Sequence, residues 1–196
     1  MNKEQVTNLE VGRIMRMDWK KGLLLPNAEV RETVKTLGQL EGIFLHEDTG
    51  RTMDQNTVVY RVQAWRPVPE GTEGAQFWGT MVIEPGQVNS EYFMTHGHFH
   101  RKRNRTEFYS LIKGEGALIL MDETRKTWME AMSAGSLHFI PPNVAHRVAN
   151  TGQEPLRLVA CWPSDAGHDY DAIRQFGFGA RLLRVNGKPS LIRSEN

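Results

Sequence analysis

A cluster of histidines and one glutamate stands where metal chemistry is possible. Thr95-His96-Gly97-His98-Phe99-His100 places imidazoles two residues apart, Glu107 follows seven residues after His100, and His146 comes much later. Side chains alternate with period two along a strand, so histidines at i and i+2 project from one face and can address one ion. A carboxylate and a third imidazole would complete a mononuclear site open to substrate. Imidazole with one carboxylate suits Fe(II), Mn(II), Ni(II) or Zn(II). His96 shares the face of His98 and His100, but four residues of strand span about 13 Å. At bonds of about 2 Å, His96 and His100 cannot both hold one ion. The chelating pair is 96/98 or 98/100, and spacing leaves both open.

These side chains need strands to aim them. Glu107 opens an apolar segment containing Phe108, Tyr109, Leu111 and Ile112, expected to pair with the His98–His100 strand across a loop. A carboxylate buried there needs a partner. Pro141-Pro142-Asn143 forms a turn just before a strand that returns His146 to the same cavity. Val58, Tyr60, Val62 and Ala64 alternate, and short apolar runs follow at 77–83, 107–112, 117–121, 136–140 and 156–162. Turn signals such as Pro85-Gly86, Gly114 to Gly116, Ala134-Gly135 and Thr151-Gly152 separate them, which predicts an all-β sandwich or barrel. Residues 1 to about 55 are less regular. Val30, Val34 and Leu37 carry a helical spacing with Asn27 as a cap and Gly38 as a stop, within an arm that wraps the main domain. Beyond Pro163 the expectation is a short helix near Tyr170 to Phe176. A terminal hairpin follows, turning at Asn186-Gly187 and flanked by Leu182, Leu183, Leu191 and Ile192.

A chain of 196 residues fits one domain with a sizeable core. Its net charge of +1 supplies no global field for nucleic acid or a membrane surface. Cys161 is the only cysteine, so no internal disulfide exists. The first residues lack an apolar signal region, and no run approaches the roughly 18 apolar residues of a membrane span. The expectation is a soluble, cytoplasmic protein. Arg101-Lys102-Arg103-Asn104-Arg105 concentrates four positive charges beside the histidines. It is too short and too poor in aromatics for nucleic acid. Either it is solvated surface or it steers an anionic substrate.

The pattern His98-x-His100-x6-Glu107-x6-Gly114, then Gly135-x5-Pro141-x-Asn143-x2-His146-x3-Asn150, resembles the two paired motifs of the cupin superfamily. Asn143 stands where the general pattern has Gly, a mild change because Asn tolerates a left-handed turn. The gap before Glu107 is longer than the common one. In that it resembles the cupin-type glucose-6-phosphate isomerases of archaea and some bacteria. Thr95-x-Gly97-His98-Phe99-His100, Glu107-x-Tyr109, Pro141-Pro142 with Ala145-His146-Arg147, and Asp165-Ala166-Gly167-His168-Asp169-Tyr170 are similar to the same family, over about Tyr60 to Phe178.

The resemblance implies a cupin double-stranded β-helix, a jelly-roll barrel, over 56–180, with an irregular N-terminal arm (1–55), one or two short helices and a C-terminal hairpin or tail (181–196). It implies His98, His100, Glu107 and His146 as ligands of one divalent ion, Fe(II) foremost, with Mn(II), Zn(II) or Ni(II) as alternatives. It assigns sugar-phosphate contacts to Tyr60, Thr80, Thr95, Gly97, Tyr109, His168 and Tyr170, with Met81 as the alternative equivalent to Thr80. His96 is not a ligand in that pattern. The implied activity is interconversion of glucose 6-phosphate and fructose 6-phosphate, in glycolysis and gluconeogenesis, by a homodimer with no nucleic-acid or membrane partner. Glu107 is the candidate base, and a metal-guided hydride shift is the other mechanism. Gly97 either lets an anion approach the backbone or relieves a bulge. Asp169 alone is accounted for as a helix cap. An Fe(II) cupin dioxygenase and a non-catalytic sugar-binding cupin are the competing functions.

Overall fold

The computed structural model describes residues 14–45, 47–174 and 177–193. It is mostly β-sheet with few, short helices. Strands β1 (Met17–Asp18) and β2 (Leu23–Leu24) form a small hairpin ahead of β3 (Val30–Thr36). A 3-10 turn (Leu37–Leu40) and the six-residue helix α1 (Glu47–Thr52) lead to β4 (Val58–Trp65) and β5 (Gln76–Ile83). The short strands β6 (Gln87–Val88), β7 (Glu91–Tyr92) and β8 (Phe99–His100) precede β9 (Glu107–Lys113), β10 (Glu115–Met121), β11 (Thr127–Ser133), β12 (Leu137–Ile140), β13 (Ala145–Asn150) and β14 (Leu156–Pro163). Last come β15 (His168–Asp169), the one-turn helix α2 (Asp171–Arg174), β16 (Ala180–Val185) and β17 (Lys188–Arg193).

Two sheets carry the architecture. One has six strands in the order β12-β9-β14-β5-β4-β3, and the other three in the order β11-β10-β13. Their neighbours are antiparallel throughout. Val59, Ile83, Leu111, Leu118, Leu120, Ile140, Val148 and Leu158 belong to one buried cluster, each at 2% exposure or less. Among the described residues, no helix is long and apolar enough to cross a membrane.

The helical expectation over Val30 to Leu37 is overturned. That segment is β3, paired along β4 from Val30↔Trp65 to Thr36↔Val58. A spacing of four is compatible with period two as well as 3.6. Val30, Thr33, Val34 and Thr36 are β-branched and prefer a strand when a partner edge is available. The expected pairing of the Glu107 strand with the His98–His100 strand is also corrected. Glu107 lies opposite Ile140 of β12, whereas β8 pairs with β15, His168 opposite His100. The expected helix near Tyr170 is a single turn, Asp171–Arg174, and Phe176 lies outside the described residues.

Other local expectations hold. Asn186 (φ 50°) and Gly187 (φ 78°) are both left-handed, as a two-residue type I′ hairpin requires. Asn143 is left-handed too, φ 63°, and its N–H donates to the Arg103 carbonyl at 2.7 Å. That bond ties the Pro141-Pro142 turn to the basic loop. Glu91, fully buried, accepts from Arg181 Nη1 at 3.1 Å and from the Leu45 N–H at 2.7 Å. This pair fastens the segment before α1 to the C-terminal hairpin.

Candidate metal centre and substrate cavity

Three separate elements converge on one point. His98 and His146 lie opposite each other in an antiparallel bridge, with N–H···O bonds of 3.2 and 3.0 Å between their backbones. His100 stands two residues further on the same face, and β9 delivers Glu107 from the other sheet. One donor atom from each of His98, His100, Glu107 and His146 lies within 4.8 Å of the others. The cluster contains His98 and His100 and leaves out His96. His96 instead lies against Tyr170, ring centroids 4.8 Å apart.

Polar atoms that lack other partners converge here. His98 Nε2 and both ring nitrogens of His146 are buried without a hydrogen bond, a costly state unless something binds their lone pairs. Glu107 Oε2 lies 3.0 Å from His100 Nε2 and 3.2 Å from His146 Nε2. His100 Nδ1 meets the Arg105 carbonyl at 3.0 Å, a contact that orients the ring and leaves Nε2 for the centre. Three imidazoles and one carboxylate are a donor set for a single divalent ion of the borderline kind, and the residues fit such an ion.

Protonation follows from the same packing. Burial, reinforced by the neighbouring imidazoles of His146, His168, His100 and His96, holds His98 well below the usual histidine range, so it is the neutral ligand form. Burial also pulls His100 down, but the Glu107 hydrogen bond and charge outweigh it and leave its pKa raised. For Glu107, burial raises the carboxyl, yet His100 and His146 bring it down to about 2. The carboxylate is ionised and shares a proton with His100.

A cavity of about 290 Å³ opens above these groups, near the lower end of ligand pockets, which run from about 300 Å³. Of the expected contact residues, Tyr60, Thr95, Gly97, Tyr109, His168 and Tyr170 all line it. Thr80 does not. It pairs with Gln63 across β5 and β4, with its hydroxyl 3.4 Å from Gln63 Oε1, and Met81 takes the cavity face. The period-two alternation of β5 makes only one of the two available.

The lining residues differ in what they offer. Burial pushes the Tyr60 phenol up to about 12, despite a hydrogen bond with the His96 backbone. Burial and the Glu107 charge push Tyr109 up as well, and its phenol hydrogen-bonds to that carboxylate. Thr95 Oγ1 accepts the Val148 N–H at 3.1 Å, which leaves its own hydrogen to donate. His168 and Tyr170 are stacked, 3° from parallel at 5.6 Å, and form one wall with His98 4.4 Å from His168. Asp169, on the opposite face of that strand, accepts the Ala172 N–H at 3.2 Å and binds Arg103 at 2.6 Å.

The basic loop is largely neutralised. Asp165, its side chain only 3% exposed, accepts from Lys102 Nζ at 2.7 Å and from Arg105 Nε and Nη2 at 2.9 and 2.7 Å. Arg103 stacks 4.0 Å over Phe99 besides pairing with Asp169. The loop is therefore a strap between β8 and the turn before β15. The cations that do line the cavity are Arg31 and Lys35 from β3 and Arg66 just past the end of β4. A helix expected over Val30 to Leu37 hides Arg31 and Lys35, whose alternation with Thr33 is the available signal. A larger depression of about 940 Å³ bounded by Gln87, Glu115, Glu154 and Arg184 has no histidine in its lining. The donor chemistry therefore favours the smaller cavity.

The fold and the centre define a β-protein with a candidate metal site of three histidines and one carboxylate beneath a small cavity of mixed polar and apolar lining. A family model described as glucose-6-phosphate isomerase matches residues 34–196. The chain is 36% identical to "Glucose-6-phosphate isomerase" of Pyrococcus horikoshii over 91% of its length and 93% of that protein. It is 35% identical to the protein of that name from Thermococcus litoralis, over 89% and 90%. A bacterial relative of that name, from Sinorhizobium medicae, is 36% identical over 78% and 71%. The chain belongs to the archaeal-type (cupin) glucose-6-phosphate isomerase family.

Proposed function

We propose that this chain is a metal-dependent isomerase that interconverts glucose 6-phosphate and fructose 6-phosphate in the cavity above His98, His100, Glu107 and His146. The observation that carries the reading is the convergence of those four side chains, with buried nitrogens that lack other partners, in a chain of this family. The two sheets are read as a jelly-roll barrel over 56–180, with 1–55 and 181–196 on it. The ion is one divalent metal, Fe(II) foremost, and its contribution when bound is that of a Lewis acid toward the sugar oxygens.

The protein's own groups divide the remaining work. Thr95, the Gly97 N–H and Tyr60 offer neutral donors to the phosphate, while Arg31, Lys35 and Arg66 make the mouth attractive to an anion. His168 and Tyr170 present a stacked wall to the sugar. Glu107 is the base: from fructose 6-phosphate it takes a proton from C1, exchanges it with solvent and delivers a proton to C2, while the O1 hydroxyl proton passes to O2. Tyr109, un-ionised and bonded to the same carboxylate, steadies it for that exchange. Turnover of fructose 6-phosphate in deuterated water tests this assignment. Deuterium at C2 of the glucose 6-phosphate is expected, and a product free of deuterium at C2 would contradict a solvent-exchanging base.

The chain is taken to work in the cytoplasm as a homodimer. Leu137, Phe139 and Phe108, exposed by 44–68% on β12 and β9, give two copies an apolar face to share. Light scattering should return twice the chain mass of 22.4 kDa; a single-chain mass at assay concentrations would reject the dimer.

A further inference from the structure

Arg147 follows a metal ligand but points away from the cavity. It is 5% exposed, and among the described residues no direct salt bridge reaches it, with Glu91 acting on its charge only at longer range. Its Nη2 donates to the His96 carbonyl at 2.6 Å, its Nη1 lies 3.4 Å from Met94 Sδ, and its guanidinium sits 4.1 Å over the Phe178 ring. Its Nε is buried without a partner. The nearby carboxylate of Glu91 is already engaged by Arg181 and the Leu45 N–H. A buried cation without a directly paired anion is expensive, so its position requires a reason.

That reason lies in the peptide it holds. In a trans peptide the carbonyl and the next N–H point in opposite directions. With the His96 carbonyl turned back to Arg147, the Gly97 N–H is turned forward, and Gly97 lines the cavity while Arg147 does not. Gly97 has φ 78°, and a Cβ there would lie 2.8 Å from Arg147 Nε and from the Phe178 ring. The glycine thus accepts the left-handed backbone and lets Arg147 close up beneath the peptide. A cation on the carbonyl also polarises the peptide and strengthens its N–H as a donor.

We propose that Arg147 is the positioning residue of a phosphate subsite, holding the His96–Gly97 peptide with its N–H toward the cavity and placing a positive charge behind it. The group received is a phosphate monoester dianion, on the Gly97 N–H and the Thr95 hydroxyl. This rests on the sugar-phosphate reading of the cavity, but it is testable without turnover.

The test uses the full-length chain, 15N-labelled and loaded with Zn(II), titrated with inorganic phosphate. In the unaltered protein the Gly97 amide resonance should shift with saturation. In Arg147→Met the free-state Gly97 resonance should already differ, and the phosphate Kd should rise at least tenfold, with one Zn(II) still bound per chain. Arg147→Lys, which keeps the charge but not the fork, should fall between the two. An unresponsive Gly97 in the unaltered protein would overturn the inference even if neither variant folds. Phosphate affinity within twofold of the unaltered protein in both folded variants would also overturn it. An intact Gly97 response in a chain that fails to isomerise sugar phosphates would support the subsite while rejecting the reaction.

Discussion

His98 and His100 sit on one short segment yet are prepared in opposite ways. His98 is driven to its neutral form by burial and by neighbouring imidazoles. His100 is held above its ordinary range because Glu107 outweighs the cost of burial. An ion entering the centre would therefore displace the proton shared by His100 and Glu107. A raised His100 pKa means that this proton persists to higher pH, so metal affinity should fall as pH drops through it. With one proton released, the fall is about tenfold per pH unit. Metal titrations between pH 5.5 and 8 check this, and a flat affinity would contradict it. Glu107→Gln separates binding from chemistry at the same residue. It keeps shape and one oxygen donor but removes the charge, so kcat at matched metal occupancy should fall by about 10²–10⁴, the usual cost of losing a general base. Near-normal kcat would remove Glu107 from that role.

Asp165 shows how an element supports a ligand that it never touches. It grips Lys102 and Arg105, and the Arg105 carbonyl in turn receives His100 Nδ1. Its carboxyl is held well below the usual range, first by the Arg105 hydrogen bond and then by Lys102. Asp165→Asn should therefore weaken metal binding by roughly 10–100-fold, the cost of disturbing groups that orient ligands. Competition with a calibrated chelator measures this; unchanged affinity would show that the strap plays no part in the centre. The sequence exposed the candidate ligands because they lie in two short motifs whose spacing and turn residues have direct geometric meaning. It exposed the strap only as charge, since pairing of 101–105 with Asp165 and Asp169 is a tertiary fact. The same limit applies to β3, whose period is ambiguous without β4, and to Thr80 and Met81, where one residue of register decides which side chain meets the ligand. His98, His100 and Glu107 needed no knowledge of strand partners, so they were legible even where the predicted pairing of β9 was wrong.

At the scale of the whole molecule, a nearly neutral chain carries a local asymmetry. Its net charge is +1, yet among the described residues Glu107 is the only carboxylate lining the cavity, against Arg31, Lys35 and Arg66. The cavity mouth favours entry of an anion, with Glu107 from the six-stranded sheet, His146 from the three-stranded sheet, and His98 and His100 from the segment at β8 brought to one place. The central claim is that this centre makes the chain a metal-dependent sugar-phosphate isomerase. Its most direct test is the conversion of fructose 6-phosphate to glucose 6-phosphate, followed with a coupled dehydrogenase, by protein stripped of divalent ions and then reloaded with Fe(II) or Mn(II). Activity should vanish on stripping and return on reloading, in proportion to the metal bound. Full activity in metal-free protein, or none in protein carrying one ion per chain, would contradict the account.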